Sequence, residues 1–286
     1  MSVKIIVDSA SDITVAFAEK YGIGFALLKT TLAGKEYRDG VDIVSDEFYE
    51  KLVVNKELAY TSQVNVEEFS ELFGDAVAAG DDVVLITISS GLSGTYQSAV
   101  FAAEEYPGKV FVVDSLSATA GEQVLLQQAI KLRDEGKNAE EIFANLESLK
   151  KRVRLFVRVE TLEYLKRGGR ISKTSAFVGG VLSIKPVLTL NAEGKLETVG
   201  KARGIRQSHK LMSESIASCG GIDFSLPVAI IYAGNTDDGA VKDYLEDSAA
   251  IFGDNRDKLQ IGQLGCVIGT HTGPSAIVIA FAPKAK

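Results

Sequence analysis

The chain has 286 residues, of which 46% are hydrophobic, and a formal net charge of -7 at pH 7. At roughly 100 to 200 residues per domain, this length predicts about two domains, each with enough apolar side chains for a core. The acidic balance argues against proteins that bind nucleic acids or anionic membranes, because those partners are themselves negatively charged. We therefore expect any anionic ligand to be held by a local site.

The apolar runs and the cysteines favour a protein without a signal peptide, a membrane span or a disulfide framework. The first apolar run covers only residues 5–7 before Asp8, far fewer than a signal peptide or the ~20 residues of a membrane span require. Cys219 and Cys266 are the only cysteines, and their spacing indicates neither a disulfide framework nor a zinc site. We expect a cytoplasmic protein without an integral membrane segment, a metal or a cofactor.

The N-terminal half alternates between apolar runs and helical patterns. Three continuous apolar runs predict strands that are buried on both faces, at residues 3–7, 83–88 and 110–113. Helices are predicted at residues 66–79, 95–105, 122–134 and 139–151. This alternation predicts a mainly parallel sheet flanked by helices. Short β-like pieces around Gly34 and Gly40 interrupt it, and we interpret residues 30–44 as a small insertion.

Composition changes near residue 153, where we place a boundary between domains 1–153 and 154–286. The second half contains predicted strands at residues 156–159, 228–232 and 276–281 and predicted helices at residues 205–218 and 239–252. Residues 187–190 and 196–199 flank a short turn with the sequence NAEG, a pattern typical of a β-hairpin. The second domain is therefore predicted to be α/β with a mixed or antiparallel sheet.

The segment SSGLSGT at residues 89–95 follows a predicted buried strand and opens a predicted helix. Free backbone N–H groups and the helix dipole both favour negative charge at a helix N-terminus, and hydroxyl groups converge there. The segment, which contains Ser93, Gly94 and Thr95, is therefore a candidate anion site. The same residues also form ordinary N-caps and tight turns, and spacing alone weights the two interpretations about equally.

Two further polar clusters are predicted to lie in loops. Thr61 belongs to the sequence YTSQ, whose ordinary interpretation is a loop that leads to the helix capped by Asn65. His271 belongs to GTHTGP at residues 269–274, where the flanking glycine and proline predict a shaped turn rather than a packed core position.

Positive charge is concentrated at residues 167–170 and 201–206, which include Arg170 and Arg203. Such residues are either solvated ends of helices and loops or a site for a phosphate or an acidic partner, because arginine matches those anions. The apolar residues 176–184, with adjacent glycines at 179 and 180, predict either a buried helix or a wall with room for an acyl chain.

Ser93 and the two histidines also raise an enzymatic alternative. A nucleophile elbow at Ser93 requires glycine two residues before and two residues after the serine, and the later position here is Thr95. A triad also requires a base, for which the sequence offers His209 and His271. An acyl hydrolase or transferase that uses Ser93 and His271 stays open as an alternative. Since no phosphate-binding loop is present, the chain is not expected to hold ATP itself.

Five of these motifs together resemble the DegV family of bacterial lipid-binding proteins. In chain order they are Asp8-Ser9, TSQ at 61–63, SSGLSGTYQS at 89–98, RGGRI at 167–171 and GTHTGP at 269–274. The resemblance implies a two-domain α/β fold with a fatty acid buried at the domain junction. It also implies that hydroxyl groups hold the carboxylate, and the matching residues here are Thr61 and Ser93, with His271 nearby. The chain departs from the common pattern at Val64-Asn65 and at Ser275, where loop shape is affected more than hydrogen-bond donors.

The resemblance further implies a role as the binding subunit of a fatty acid kinase, which makes acyl phosphate for phospholipid synthesis. We therefore expect the chain to bind a long-chain fatty acid and to present its carboxylate to a separate kinase subunit, without catalysing the reaction alone. Ser93, Gly94, Thr95, Thr61 and His271 are the expected ligand-binding residues. Arg170 and Arg203 are expected to contact the phosphate or the partner. A lipid-responsive regulator that uses the same site stays open as a further alternative.

Overall fold

The computed structural model describes residues 2–55, 59–171, 183–234 and 239–285. Its strands are β1 (Val3–Asp8), β2 (Gly24–Ala26), β3 (Lys29–Leu32), β4 (Lys35–Arg38), β5 (Tyr60–Ser62), β6 (Asp82–Thr87), β7 (Val110–Asp114), β8 (Arg154–Arg158), β9 (Ile184–Leu190), β10 (Leu196–Arg203), β11 (Val228–Tyr232), β12 (Leu259–Gln263) and β13 (Ile277–Phe281). Short 3-10 helices lie at Ser9–Ser11 and Arg256–Lys258.

The α-helices are α1 (Val15–Tyr21), α2 (Ser45–Asn55), α3 (Val66–Ala78), α4 (Thr95–Ala103), α5 (Ala120–Asp134), α6 (Ala139–Leu149), α7 (Glu163–Arg167), α8 (Ile205–Ser218), α9 (Ala240–Asp247), α10 (Ala249–Phe252) and α11 (Cys266–Thr272). Within the described ranges, no helix combines the length and the apolar character that crossing a membrane requires.

The first sheet is parallel and has the strand order β2-β1-β6-β7. Its central strands are continuous apolar runs because helices cover both faces. On one face Leu85 shares an apolar core with Phe69 of α3, and on the other face Val84 shares a core with Leu125 of α5. The parallel sheet that the sequence predicted is confirmed. Its parallel strands bring Asp8 and Asp114 to the same edge, where each follows a buried strand.

The second sheet is mixed and has the strand order β10-β9-β8-β13-β11-β12. Strands β11 and β12 run parallel, and the other neighbouring pairs are antiparallel. The predicted hairpin is formed by β9 and β10, with Leu190 opposite Leu196 beside the turn. Met212 and Ile216 of α8 cover this sheet in one apolar core with Ile230 of β11.

A third, antiparallel sheet has the order β4-β3-β5 and is larger than the insertion predicted at residues 30–44. It includes β5, so the cluster around Thr61 is a strand and the loop expected there was wrong. Thr61 is paired with Thr30 of β3. This strand forms because a distant partner supplies its hydrogen bonds, and its tyrosine and threonine suit a pleated surface.

Helix α11 corrects a second expectation, because GTHTGP is not a free turn. Residues up to Thr272 are helical, and the helix ends at Gly273, which has a φ of +70°. Gly269 lies inside the helix, where a Cβ would come within 2.9 Å of Phe48 and 2.5 Å of the Tyr49 hydroxyl. Glycine is therefore needed here for close packing against α2, and its presence misled the sequence prediction.

Helix α5 lies between the two larger sheets and contacts β1 and β6 of the first and β11 and β13 of the second. The strands of the first sheet end by Asp114, and those of the second begin at Arg154. However, α11 from the C-terminal part packs on β3, β5 and α2. The division into domains 1–153 and 154–286 therefore stays a prediction.

Candidate functional site

A cavity of about 320 Å³ lies where the three sheets meet. This volume is at the lower end of the ~300 to 1,000 Å³ that small-molecule sites occupy. Its wall is mostly aliphatic and is formed by Leu28, Ile88, Leu92, Ala118, Leu155, Val157, Leu165, Leu190, Leu196, Val267, Ile268 and Val278. The polar residues of its lining are Thr61, Ser62, Gln63, Ser93, Thr119, Arg170, His271 and Thr272, together with Gly94.

Thr61 and His271 meet at this cavity although 210 residues separate them. Thr61 Oγ1 lies 2.9 Å from His271 Nε2, a hydrogen bond whose direction depends on the histidine tautomer. β5 supplies Thr61, and the last turn of α11 supplies His271. The contact between α11 and the third sheet therefore creates the pair.

His271 is a neutral imidazole at pH 7. Burial lowers its pKa to about 4, and the nearby charge of Arg170 contributes in the same direction. Its Nδ1 packs against Gly168, where a Cβ would lie 2.1 Å away, and this atom has no hydrogen-bond partner in the described residues. If the single proton is on Nε2, His271 donates to Thr61 Oγ1. The Thr61 hydroxyl proton is then free for a ligand.

The loop between β6 and α4, residues 88–94, is the Ser-Gly loop. Two aspartates at the ends of strands hold it in place. Asp8 Oδ2 accepts a hydrogen bond from the N–H of Ile88 at 2.7 Å, and Asp114 Oδ1 accepts one from Ser90 at 3.1 Å. Further along the loop, Ser93 Oγ lies 2.9 Å from Thr95 Oγ1 and accepts from the N–H of Thr95 at 3.2 Å. The aspartates at the ends of the parallel strands thus fix the start of the loop, and the loop places Ser93 beside the cavity.

Gly94 allows the third sheet to approach this loop. A Cβ at Gly94 would lie 2.1 Å from Gln63 Oε1, while Gln63 Nε2 donates to Ser98 Oγ of α4 at 2.8 Å. Gln63 follows Thr61 by two residues, so this contact brings β5 to the loop that carries Ser93. The TSQ motif contains Gln63, but nothing in the motif indicates this contact with α4.

Gly94 and Thr95, both predicted to bind the ligand, have different positions relative to the cavity. Gly94 lines the cavity with Thr61, Ser93 and His271, whereas Thr95 is fully buried behind Ser93 and is not part of the lining. Thr95 therefore orients the hydroxyl of Ser93 through its hydrogen bonds to Ser93 Oγ.

The two arginines also lie in different places. Arg170 lines the cavity; its Nε donates to the carbonyl of Leu92 at 3.1 Å and its Nη1 donates to that of Gly168 at 2.6 Å. Arg203 is exposed at the end of β10 and is not among the cavity-lining residues. Only Arg170 lies at the polar end of the cavity, and the expected contact of both residues with the phosphate or the partner stays a prediction.

Among the described residues, no hydrogen bond joins Ser93 to His271 as a nucleophile would be joined to its base. Each is hydrogen-bonded to a threonine, Ser93 to Thr95 and His271 to Thr61. A histidine with a pKa of about 4 is also a weak general base at neutral pH. The hydrolase alternative therefore has little geometric support.

The turn of the β9–β10 hairpin closes over the Ser-Gly loop. Ser89 Oγ donates to the carbonyl of Gly194 at 2.9 Å, and a Cβ at Gly91 would lie 2.6 Å from the carbonyl of Glu193. The flanking residues Leu190 and Leu196 line the cavity. The sequence predicted the hairpin, but nothing in it indicated this docking.

A groove outside the cavity reaches the same polar end. It is lined by Ser90, Gly91, Leu92, Ser93, Gly94, Gly169, Arg170, Ile171, Asn191, Lys195 and Leu196. Ser93 and Arg170 thus border both the cavity and the groove. Of the apolar segment at residues 176–184, predicted to be a buried helix or a wall, residues 176–182 with the glycines at 179 and 180 lie outside the described residues.

Known proteins resemble this chain over its full length. A DegV domain-containing protein from Caldanaerobacter subterraneus subsp. tengcongensis is 36% identical over 289 residues, which cover 99% of each chain. A solved structure described as fatty acid binding of a DegV family protein, from Thermus thermophilus, is 33% identical with a TM-score of 0.87 and covers 99% of this chain and 100% of that chain. A stearic acid-binding protein from Eubacterium ventriosum is 28% identical with a TM-score of 0.84 and coverage of 99% and 98%.

The family model described as "Uncharacterised protein, DegV family" matches residues 2–284. This match includes every element that surrounds the cavity, from β1 to β13. Sequence, family model and fold agree, and the chain belongs to the DegV family.

Proposed function

We propose that this protein binds a long-chain fatty acid, with the hydrocarbon tail in the aliphatic cavity and the carboxylate at its polar end. The observation that carries the proposal is the aliphatic cavity whose polar lining includes Thr61, Ser93 and the neutral His271. The fatty-acid-binding descriptions of the Thermus and Eubacterium structures support the same ligand class.

The aliphatic wall accounts for the affinity of such a ligand. Burial of ~14 methylenes at ~0.8 kcal/mol each contributes about 11 kcal/mol before ordering costs. One hydrogen bond to a charged group contributes about 1.5 to 3 kcal/mol. The tail therefore determines how tightly the ligand binds, and the head group determines where along the cavity it stops.

The polar end supplies donors of two kinds. The hydroxyls of Thr61 and Ser93 are neutral donors, and the guanidinium of Arg170 adds positive charge. Because His271 is uncharged, it can act through Thr61 by donating from Nε2, which directs the threonine proton towards the ligand. A carboxylate removed from water requires such donors, and hydroxyls hold it without the tight pairing that would block its reaction.

We further propose that the bound carboxylate is presented to a separate kinase subunit in the cytoplasm, which forms the acyl phosphate. The outer groove supports this step, because Ser93 and Arg170 line both the groove and the cavity. Phosphoryl transfer brings additional negative charge to this place, and Arg170 would stabilise that charge most when the phosphate arrives.

The ligand assignment is tested by extracting the purified protein and identifying the lipid by mass spectrometry, followed by displacement binding with stearic acid. We expect a co-purified fatty acid and saturable binding of the added acid. Repeated recovery of none, together with no binding of added acid, would reject the proposal. Methyl stearate is the matched control, because it keeps the tail and loses the carboxylate.

The kinase step has its own test and its own rivals. With a fatty acid kinase subunit and ATP, we expect acyl phosphate to form only when the loaded protein is present. If occupancy-dependent pull-down instead captures a partner that is not a kinase, the lipid-responsive regulator is favoured. Turnover of p-nitrophenyl acyl esters that disappears in Ser93→Ala would favour the hydrolase.

A further inference from the structure

Two buried aspartates hold the N-terminus of α11. Asp12 Oδ1 accepts a hydrogen bond from the backbone N–H of Gly265 at 2.9 Å, and Asp39 Oδ1 accepts one from Cys266 at 2.9 Å. Both side chains are buried. Because the first N–H groups of a helix have no partner within the helix, the two aspartates satisfy donors that would otherwise be buried unpaired.

The two carboxyl groups also face each other at Gly265. A Cβ at this glycine would lie 2.8 Å from Asp12 Oδ1 and 3.3 Å from both carboxyl oxygens of Asp39, so a larger residue would push them apart. Burial raises the pKa of Asp39 to about 6 and the pKa of Asp12 well above its ordinary value, and repulsion from Asp39 raises the latter further. Two buried, adjacent carboxyl groups are unfavourable when both are charged. One uncharged hydrogen-bond acceptor would hold the N-terminus of α11 at a lower cost in free energy.

Helix α11 connects this pair of aspartates to the head-group end of the cavity. Cys266 and His271 are five residues apart, or about 8 Å along the axis at 1.5 Å per residue. Asp39 and Tyr49, which packs against Gly269, belong to the stretch of chain between β3 and β5. That stretch leads directly into Thr61, so one segment both anchors α11 and supplies the partner of His271.

Resting on the fatty-acid-binding function proposed above, we propose that Asp39, together with Asp12, is a positioning residue for the carboxylate. The pair fixes α11 so that His271 reaches Thr61, and Thr61 then points its hydroxyl proton at the ligand. Neither aspartate lines the cavity. Their effect on the ligand is therefore indirect and passes through the 2.9 Å contact between Thr61 and His271.

The two ends of the ligand respond differently to a small movement of α11. Lengthening the Thr61–His271 contact by more than about 0.5 Å exceeds ordinary hydrogen-bond distances, and the bond is lost. Contacts between α11 and the tail, through Val267 and Ile268, are non-directional and tolerate the same shift. Loss of the anchor should therefore weaken the binding of an acid more than that of its ester.

The test compares stearic acid with methyl stearate in Asp39→Ala, Asp39→Asn and the unaltered protein, by displacement binding. We expect Asp39→Ala to bind the acid about 10-fold more weakly and the ester within twofold of the unaltered protein. Asp39→Asn should restore acid binding, because its amide oxygen can accept from the Cys266 N–H while its amino group donates to Asp12. Equal losses for acid and ester, or no loss for either, would overturn the positioning role.

A double-mutant cycle tests whether the effect passes through His271. In the background of His271→Ala, adding Asp39→Ala should change acid affinity by less than twofold. A full 10-fold loss in that background would show that Asp39 acts by another route and would overturn the proposal.

Asp12→Ala provides a second variant if Asp39→Ala does not fold. It removes the acceptor of Gly265, keeps the Asp39–Cys266 bond and relieves the repulsion, so we expect a smaller loss that is again selective for the acid. Non-selective loss in this variant would overturn the proposal. An unaltered protein that binds neither probe would instead reject the ligand assignment itself, so the two failures are distinguishable.

Discussion

The two ends of the cavity are built in opposite ways. The aliphatic wall draws a dozen side chains from the second sheet, from α7 and α11 and from loops beside the strands, and each contributes a small, non-directional contact. The polar end depends on a few atoms with specific partners, such as Thr61 Oγ1 and His271 Nε2. Each substitution in the wall should therefore change affinity in proportion to the volume altered. A substitution at the polar end should instead remove a whole hydrogen bond.

The largest expected effect is at the two hydroxyls. Thr61→Ala and Ser93→Ala should each weaken fatty acid binding about 10- to 100-fold, because each removes roughly one hydrogen bond to a charged group. Displacement binding measures the loss, and thermal unfolding confirms that the variants stay folded. Ser90→Ala, an exposed serine of the same loop that does not line the cavity, is the control. Unchanged affinity in both test variants would remove these residues from the site.

The next effect separates the two arginines. Arg170→Ala should weaken binding of the acid about 10-fold and slow acyl phosphate formation, since its guanidinium lies at the cavity. Arg203→Ala should bind the acid within twofold of the unaltered protein, because it is exposed and remote from the lining. If Arg203 contributes to docking, its variant should slow phosphorylation, and the difference from the unaltered protein should shrink at high salt, which screens the attraction. Equal binding losses in both variants would contradict this separation.

Substitution in the aliphatic wall should change which length of fatty acid the protein prefers. Val157→Phe fills part of the cavity with a larger side chain and should shift preference towards shorter acids, with each excluded methylene costing about fourfold in affinity. A competition series of acids measures the profile. Val199→Phe, the same change at an exposed position of β10, should leave it unchanged. A well-folded Val157→Phe with an unaltered profile would show that the tail lies elsewhere.

The smallest effect concerns the buried carboxyl groups behind the polar end, which include Asp8, Asp12, Asp39 and Glu122. Burial raises the pKa of Asp39 to about 6, so the folded protein binds this proton more readily than the unfolded chain does. Its contribution to stability is present below pH 4 and is lost as the pH rises through about 6.

Asp39→Asn should therefore gain about 1 kcal/mol relative to the unaltered protein between pH 5 and pH 7.5. Urea unfolding at the two pH values measures the difference. The lowered pKa of His271 acts with the opposite sign, but it is common to both proteins and cancels in the comparison. A variant whose relative stability falls over this range would show that Asp39 is charged and favourably paired.

The parts of the fold that local patterns determine were predictable. The buried runs of β1, β6 and β7 gave the parallel sheet, and the turn at residues 191–194 gave the hairpin. Helix α8 was predicted with its observed bounds. Short elements were missed, among them α1, with only seven residues, and the edge strand β12, because neither is long enough to show a clear period.

The candidate site was predictable as a set of residues but not as an arrangement. The motifs identified Thr61 and His271, yet both were placed in loops. One is in a strand that requires β3, and the other is in a helix that packs on Tyr49. The different positions of Arg170 and Arg203 could not be inferred either, because equal local charge says nothing about which residue faces a cavity. Non-local contacts decide each of these outcomes.

The docked hairpin turn limits how the protein can be engineered. A turn rich in asparagine and glycine normally accepts a tag, an inserted domain or new chain termini. Here Gly194 is buried against Ser89, with a φ of +68° and no room for a Cβ. An insertion would pull Leu190 and Leu196 away from the cavity together with the turn. Fusion partners and circular permutation sites therefore belong at exposed positions such as the turn at Gly136, which lies between α5 and α6.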